Sequence, residues 1–112
     1  MLSFDETLAI ATAWVADRAR EVPGRELVML DGLIEERKRG WAFAYNTKRF
    51  AETRNPLDGL LGHGPVFVDK ETGEVHALGS ARIAAWLEEY DRTGTPPDIR
   101  RGWRSDGTGQ AR

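Results

Sequence analysis

Two histidines and a few carboxylates are the residues of this chain best suited to acid–base or metal chemistry. His63 lies in a glycine-rich segment, and His76 lies in a predicted strand. A metal site would need further ligands, for which Asp58, Asp69 and Glu71 are the candidates. The sequence has no His-x-x-x-His motif or similar metal-binding spacing. We therefore interpret both histidines as structural or solvated residues.

The segment Asp69 to Glu74 has the acidic and glycine content of a calcium loop. The twelfth position counted from Asp69 is Ser80, where such a loop requires a bidentate glutamate. A turn explains the same residues, so a turn is predicted. Ser80 and His76 could act as nucleophile and base, but no third member of a catalytic group is evident. We predict neither enzymatic activity nor a cofactor.

Two further clusters could contact phosphate. Gly59, Gly62 and Gly64 precede a strand, whereas a phosphate-binding loop requires a strand before it, a helix after it and a lysine. We interpret these glycines as positions where the backbone bends or packs closely. The basic segment Arg37 to Arg39 follows Glu35 and Glu36, so we interpret it as a solvated hairpin tip.

The first element that could position these residues is a helix at about Ser3 to Arg20. Ser3 and Glu6 fit a capping box, in which each side chain accepts from the other residue's amide. Pro23 and Gly24 end the helix. Apolar residues three or four positions apart form one stripe of it, namely Phe4, Leu8, Ala11, Val15 and Ala19, widened by Ile10 and Trp14.

Strands follow the first helix. The segment Glu26 to Glu36 is predicted as a strand, with a bulge or bend at Gly32. Gly40 to Thr47 alternates aromatic and small residues with the period of two that a pleated strand requires. Lys48 to Leu61 is a connection, in which Phe50 could anchor a short turn of helix.

A hairpin and a helix complete the pattern. Gly64 to Leu78 is predicted as a hairpin around the turn Lys70 to Gly73. Ser80 is the expected N-cap of a helix from Ala81 to Arg92. The buried stripe of that helix is Ile83, Trp86, Leu87 and Tyr90, and its outward residues are Glu88, Glu89 and Asp91.

The predicted fold class is α+β, with a small antiparallel sheet of three to four strands in the order α-β-β-β-β-α. Both helices could cover one face of the sheet, with Trp41 and Trp86 in the core. The third predicted strand nevertheless has Val66 and Val68 on one face and Phe67 on the other. The second face would then be covered by the 48–61 connection, the C-terminal tail, another copy or a partner, and intramolecular cover is favoured.

The chain length, composition and net charge set limits on the number of domains and the kinds of partner. The 112 residues fit one domain, which we place at residues 1–92. Residues 93–112 are rich in helix breakers and poor in aliphatic residues, so we predict a disordered tail unless Ile99 and Trp103 dock. The net charge of −2 and the absence of cysteine give no indication of a nucleic-acid partner or a disulfide. No apolar run approaches the roughly 20 residues of a membrane span, so a cytoplasmic location is expected.

Three segments in order carry a family resemblance: Gly40 to Thr47, Gly62 to Ser80 and Ala84 to Tyr90. They resemble the YrhB-like family, also called immunity protein 35, over about residues 4–90. The motif residues of that family fall here on Gly40, Trp41, Phe43, Tyr45, Pro65, Val68, Asp69, Thr72, Gly73 and Tyr90. One departure is Ser80, where the family usually has threonine.

The resemblance implies a cytoplasmic protein that binds and neutralises a cognate bacterial toxin domain. For some relatives it implies a chaperone-like activity that suppresses aggregation of several clients, which is the alternative function. The family resemblance implies no catalytic residue. The sequence does not indicate which surface residues bind the partner, and it does not indicate a homo-oligomer.

Overall fold

A computed structural model describes residues 1–97 of the chain. The elements are helix α1 (Phe4–Ala19), strands β1 (Leu27–Glu36) and β2 (Gly40–Thr47), helix α2 (Lys48–Thr53), strands β3 (His63–Asp69) and β4 (Val75–Gly79) and helix α3 (Ile83–Thr93). The predicted α+β class and the order α-β-β-β-β-α are therefore confirmed. Within residues 1–97, no helix has the length and apolar content needed to cross a bilayer.

Helix α1 begins at the predicted capping box. The Ser3 amide donates to Glu6 Oε1 at 2.9 Å, and the Glu6 amide donates to Ser3 Oγ at 3.1 Å. The face turned toward the sheet buries Thr7, Ala11 and Val15. Thr7 is tolerated there because its hydroxyl donates to the Phe4 carbonyl at 2.8 Å.

The four strands form one antiparallel sheet in the order β1-β2-β3-β4. The register between β1 and β2 shifts between Met29 and Ile34, so the bend predicted at Gly32 is confirmed. Gly32 has a φ of 82°, a left-handed conformation that glycine adopts without steric cost. Strand β1 is an edge strand because it lies at the end of the strand order, and the bulge interrupts it in its middle.

The two long helices lie on opposite faces of the sheet, so the prediction that both cover one face is wrong. One core cluster packs Ala11 and Val15 of α1 against Phe43, Tyr45, Val66 and Val68. The other packs Trp86, Leu87 and Tyr90 of α3 against Ala42, Phe67 and Leu78. The period of two in β3 puts valines on one face and Phe67 on the other, and each face receives its own helix. Helix α3 therefore supplies the favoured intramolecular cover.

Helix α3 begins at Ile83, so the prediction that Ser80 caps it is wrong. Its N-cap is Arg82, which has a φ of 62° and makes no side-chain capping hydrogen bond. Residues 80–82 form the bend between β4 and α3, so the helix begins at Ile83 and not directly after Ser80. The predicted buried stripe is confirmed for Trp86, Leu87 and Tyr90.

The 48–61 connection is organised by two buried polar residues at the end of β2. Asn46 Oδ1 accepts from the amides of Thr47 and Leu60, both at 2.8 Å. The Thr47 hydroxyl donates to the Asp58 carbonyl at 2.6 Å and accepts from the Phe50 amide, which caps α2. The short helical turn expected around Phe50 is therefore confirmed.

The hairpin tip between β1 and β2 is only partly solvated, contrary to its interpretation from sequence. Arg37 bridges Glu35 and Asp91, with Nη2 of Arg37 at 2.7 Å from Asp91 Oδ2, and only 20% of its side chain is exposed. Arg39 Nε donates to the Asp91 carbonyl at 3.0 Å, whereas Lys38 is exposed. Asp91 therefore faces the hairpin rather than solvent, and the tip holds the C-terminal end of α3.

Removal of the tail is expected to leave the fold intact. The predicted docking residues Ile99 and Trp103 lie outside the described residues, but α3 is already closed where the Gly94 amide donates to the Tyr90 carbonyl at 2.8 Å. A chain ending at Thr95 should keep its thermal midpoint within a few degrees, which corresponds to less than roughly 1 kcal/mol. Circular dichroism during thermal unfolding measures this shift. A large loss of stability would show that Ile99 and Trp103 pack against the domain.

Candidate functional site

The two histidines and the serine considered for chemistry lie in different parts of the structure. His63 Nε2 lies 2.7 Å from the Tyr45 carbonyl, on the α1 side of the sheet. His76 packs among aromatic rings on the α3 side, and its Nε2 has no hydrogen-bond partner within residues 1–97. Ser80 is exposed in the turn after β4, and no hydrogen bond joins it to His76. The structure thus does not assemble the pair considered as base and nucleophile.

The candidate metal ligand Asp58 is already hydrogen-bonded. Both Asp58 carboxylate oxygens accept hydrogen bonds, from Thr53 at 2.6 Å and from Arg49 at 3.0 Å. The bond from Thr53 lowers the pKa of Asp58, and Arg49 adds to this effect. Within residues 1–97, no group of three histidine, aspartate or glutamate side chains is arranged to hold a metal ion.

Asp69 links the β3–β4 turn to α3. Its Oδ1 accepts from the amides of Glu71 and Thr72 at 2.7 and 3.0 Å, which confirms the turn predicted there. Its Oδ2 accepts from the Tyr90 hydroxyl at 2.6 Å. Burial acts to raise the pKa of Asp69, but these hydrogen bonds outweigh it and lower the pKa. For Tyr90, burial and the bond to Asp69 both raise the pKa.

The Asp69–Tyr90 pair should give stability a pH dependence at both extremes. Because its folded-state pKa is lowered, Asp69 contributes stability above its unfolded pKa of about 3.9, and this is lost as pH falls through the folded value. Because its folded-state pKa is raised, Tyr90 contributes stability below its unfolded pKa of about 10, and this is lost above it.

Tyr90→Phe should therefore abolish the alkaline loss and cost about 1.5–3 kcal/mol at neutral pH, as expected for a hydrogen bond to a charged group. Asp69→Asn should flatten the acid side. Urea unfolding at a series of pH values measures both effects, and an unchanged alkaline slope in Tyr90→Phe would contradict the assignment.

A cluster of four rings fixes α3 on the sheet. The Trp86 and Tyr90 rings are stacked, with centroids 5.2 Å apart and planes 6° from parallel. Phe67 lies 5.0 Å from Tyr90, and His76 lies 5.5 Å from Trp86. Phe67 and His76 belong to β3 and β4, so α3 sits over that half of the sheet. The β1 half of the same face is left with less cover.

An apolar groove of about 330 Å³ occupies this less covered half, between β1 and α3. Its floor contains Ala42 and Ala44, whose small side chains leave space above the sheet. Leu33, on the bulged segment of β1, is 51% exposed at the groove. The complete lining is Gly32, Leu33, Ile34, Glu35, Ala42, Ala44, Pro65, Ile83 and Leu87. It contains no lysine or arginine, so the groove is suited to an apolar group.

Other apolar surface lies outside this groove. Leu57 and Leu61 are 86% and 87% exposed in the segment between α2 and β3. A second groove of about 590 Å³ lies where β4 turns into α3, lined in part by Leu78, Ile83 and Trp86. The bulged position of Leu33 was predictable from Gly32, but the two grooves depend on where α3 lies, which sequence patterns did not indicate.

Comparison with known families gives a match to the family model described as immunity protein 35, over residues 5–93. The chain belongs to the immunity protein 35 family. It is also similar to the uncharacterized protein YrhB of Escherichia coli (strain K12), with 28% identity over 92 residues that cover 81% of this chain and 90% of that relative. No solved structure matches the chain.

Several residues that carry the immunity protein 35 resemblance have structural roles in this protein. A side chain at Gly40 would place its Cβ 2.2 Å from the Val68 carbonyl oxygen. Phe43, Tyr45 and Val68 are buried against α1. Asp69 and Tyr90 form the buried hydrogen bond described above. These residues of the family pattern therefore specify the scaffold.

Proposed function

We propose that this protein is an immunity protein that binds a cognate bacterial toxin domain and blocks its activity in the cytoplasm of the cell that makes both. The match to the immunity protein 35 family over residues 5–93 carries this proposal. An accessible apolar patch can form the buried core of a protein interface, and the grooves beside α3 support such a role.

A binding role also agrees with how the chain uses its polar residues. Asp58, His63 and Asp69 are engaged in hydrogen bonds. His76 is packed among aromatic rings. We therefore propose binding rather than catalysis. Neutralising a lethal toxin at low concentration requires a Kd of about 1 nM or lower, equivalent to roughly 12 kcal/mol.

The test is to titrate the purified protein with the toxin domain encoded beside its gene, and to express the two together in cells. We expect a saturable one-to-one complex and restored growth. The control is an unrelated enzyme that aggregates on heating. Suppressed aggregation of several such enzymes, without a complex with the neighbouring toxin, would refute the immunity function and indicate the chaperone alternative.

A further inference from the structure

Within the described part of the chain, no strand pairs with the outer edge of β1. β1 pairs with β2 on one side only, and within residues 1–97 no hydrogen bond outside the sheet reaches the main chain of Leu27–Glu36. A free edge presents amide and carbonyl groups that an added strand can satisfy. β4, at the other edge, has only five residues. β1 spans ten residues, in two paired segments on either side of the bulge at Gly32, and is therefore the longer of the two edges.

The apolar groove adjoins this open edge. Leu33 of β1 stands at its entrance, half-exposed, and Ala42 and Ala44 lie on its floor beside Ile83 and Leu87 of α3. Side chains of an added strand alternate between the two faces of the sheet. Those on the α3 side would lie over this groove, so the edge and the groove together form one surface with main-chain and apolar contacts.

The charge of β1 restricts which strand can bind. Leu27–Glu36 contains three carboxylates, Asp31, Glu35 and Glu36, and no lysine or arginine. Glu35 and Glu36 pair with Arg37 and Lys70, yet their side chains remain 56% and 60% exposed. A second copy of β1 would bring the carboxylates of both strands together, which is destabilising. A strand with basic residues would complement them.

We propose that the open edge of β1 and the adjoining groove form the docking site for an extended, basic segment of the toxin, with an apolar side chain inserted between Leu33 and α3. The segment adds a fifth strand to the sheet. Main-chain hydrogen bonds give affinity, and the groove and the carboxylates select an apolar anchor flanked by lysine or arginine. This inference rests on the proposed function only for the identity of the partner.

The first test uses a probe that needs no toxin, a short peptide of alternating lysine and valine, with a matched peptide that has glutamate in place of lysine. Hydrogen–deuterium exchange of the whole protein should show slowed exchange in residues 27–36 with the lysine peptide. Residues 75–79 of β4 should be unchanged, and the glutamate peptide should have no effect. Protection elsewhere, or equal binding of the two peptides, would overturn the docking site.

The second test compares variants. Leu33→Asp and Asp31→Lys change exposed residues and should each weaken binding of the lysine peptide and of the toxin by about tenfold or more, as expected for residues at the centre of an interface. Matched controls are Leu61→Asp, an exposed leucine away from the groove, and Glu71→Lys, in the turn before β4. Both controls should stay within about twofold of the unaltered protein.

The outcomes separate the two proposals. Tight toxin binding without protection of residues 27–36 would keep the immunity function and overturn the docking site. Protection by the lysine peptide without any complex with the toxin would refute the immunity function, while the docking site would stand for a different basic partner. Equal losses in the controls and the β1 variants would also overturn the docking site.

Discussion

Replacement of Trp86 by alanine is expected to cost about 3–5 kcal/mol, a large part of the stability of a domain of this size. Trp86 is 8% exposed, stacks on Tyr90 and contacts Phe67 and His76. Its removal would leave a cavity under α3 that the neighbouring rings could fill only in part. Urea unfolding followed by far-UV circular dichroism measures the loss independently of the missing indole fluorescence.

Trp41 provides the comparison, because sequence patterns predicted that both tryptophans lie in the core. Trp41 is only half-buried, with its ring 4.7 Å from that of Phe4 and the Lys70 ammonium 5.7 Å from its centre. Trp41→Ala should therefore cost less, about 2 kcal/mol for partial burial. If Trp86→Ala does not fold, Trp86→Phe should still fold with an intermediate loss. Equal losses of unfolding free energy at the two positions would contradict the deeper burial of Trp86.

Gly40→Ala and Gly64→Ala are expected to destabilise the sheet by more than about 3 kcal/mol, beyond the usual cost of overpacking. An added Cβ would lie 2.2 Å from the Val68 carbonyl oxygen at Gly40 and 2.1 Å from the Gly79 carbonyl oxygen at Gly64. Both atoms belong to the main chain of a neighbouring strand, so relief would require the strands to separate. Chemical denaturation measures the loss.

Gly79 supplies the matched control for these two substitutions. It also lies in a strand, but a Cβ there meets no atom within 4 Å. Gly79→Ala should leave the free energy of unfolding within about 0.5 kcal/mol of its original value or raise it slightly. A similar loss at all three positions would show that the cost comes from the loss of glycine itself and not from close approach of strands.

Local signals were sufficient to predict most of the elements. Ser3 and Glu6 identified the start of α1, because a capping box acts within one helical turn. Asp69 and Gly73 identified the β3–β4 turn, because Asp69 accepts from two amides of that turn and Gly73 adopts the left-handed conformation within it. The alternation of aromatic and small residues likewise identified β2. Each of these signals depends on residues that are neighbours in sequence.

The tertiary structure alone decided the arrangement that matters for binding. Helix α3 lies on the face of the sheet that carries Phe67, after a turn in which Arg82 adopts a left-handed conformation that no helix pattern signals. Tyr90 meets Asp69 across 21 positions of sequence. The groove exists because α3 packs over Phe67 and leaves space beside the half-buried Ala44. Sequence periodicity determines which residues face a sheet, whereas packing between distant elements determines which part of that face stays open.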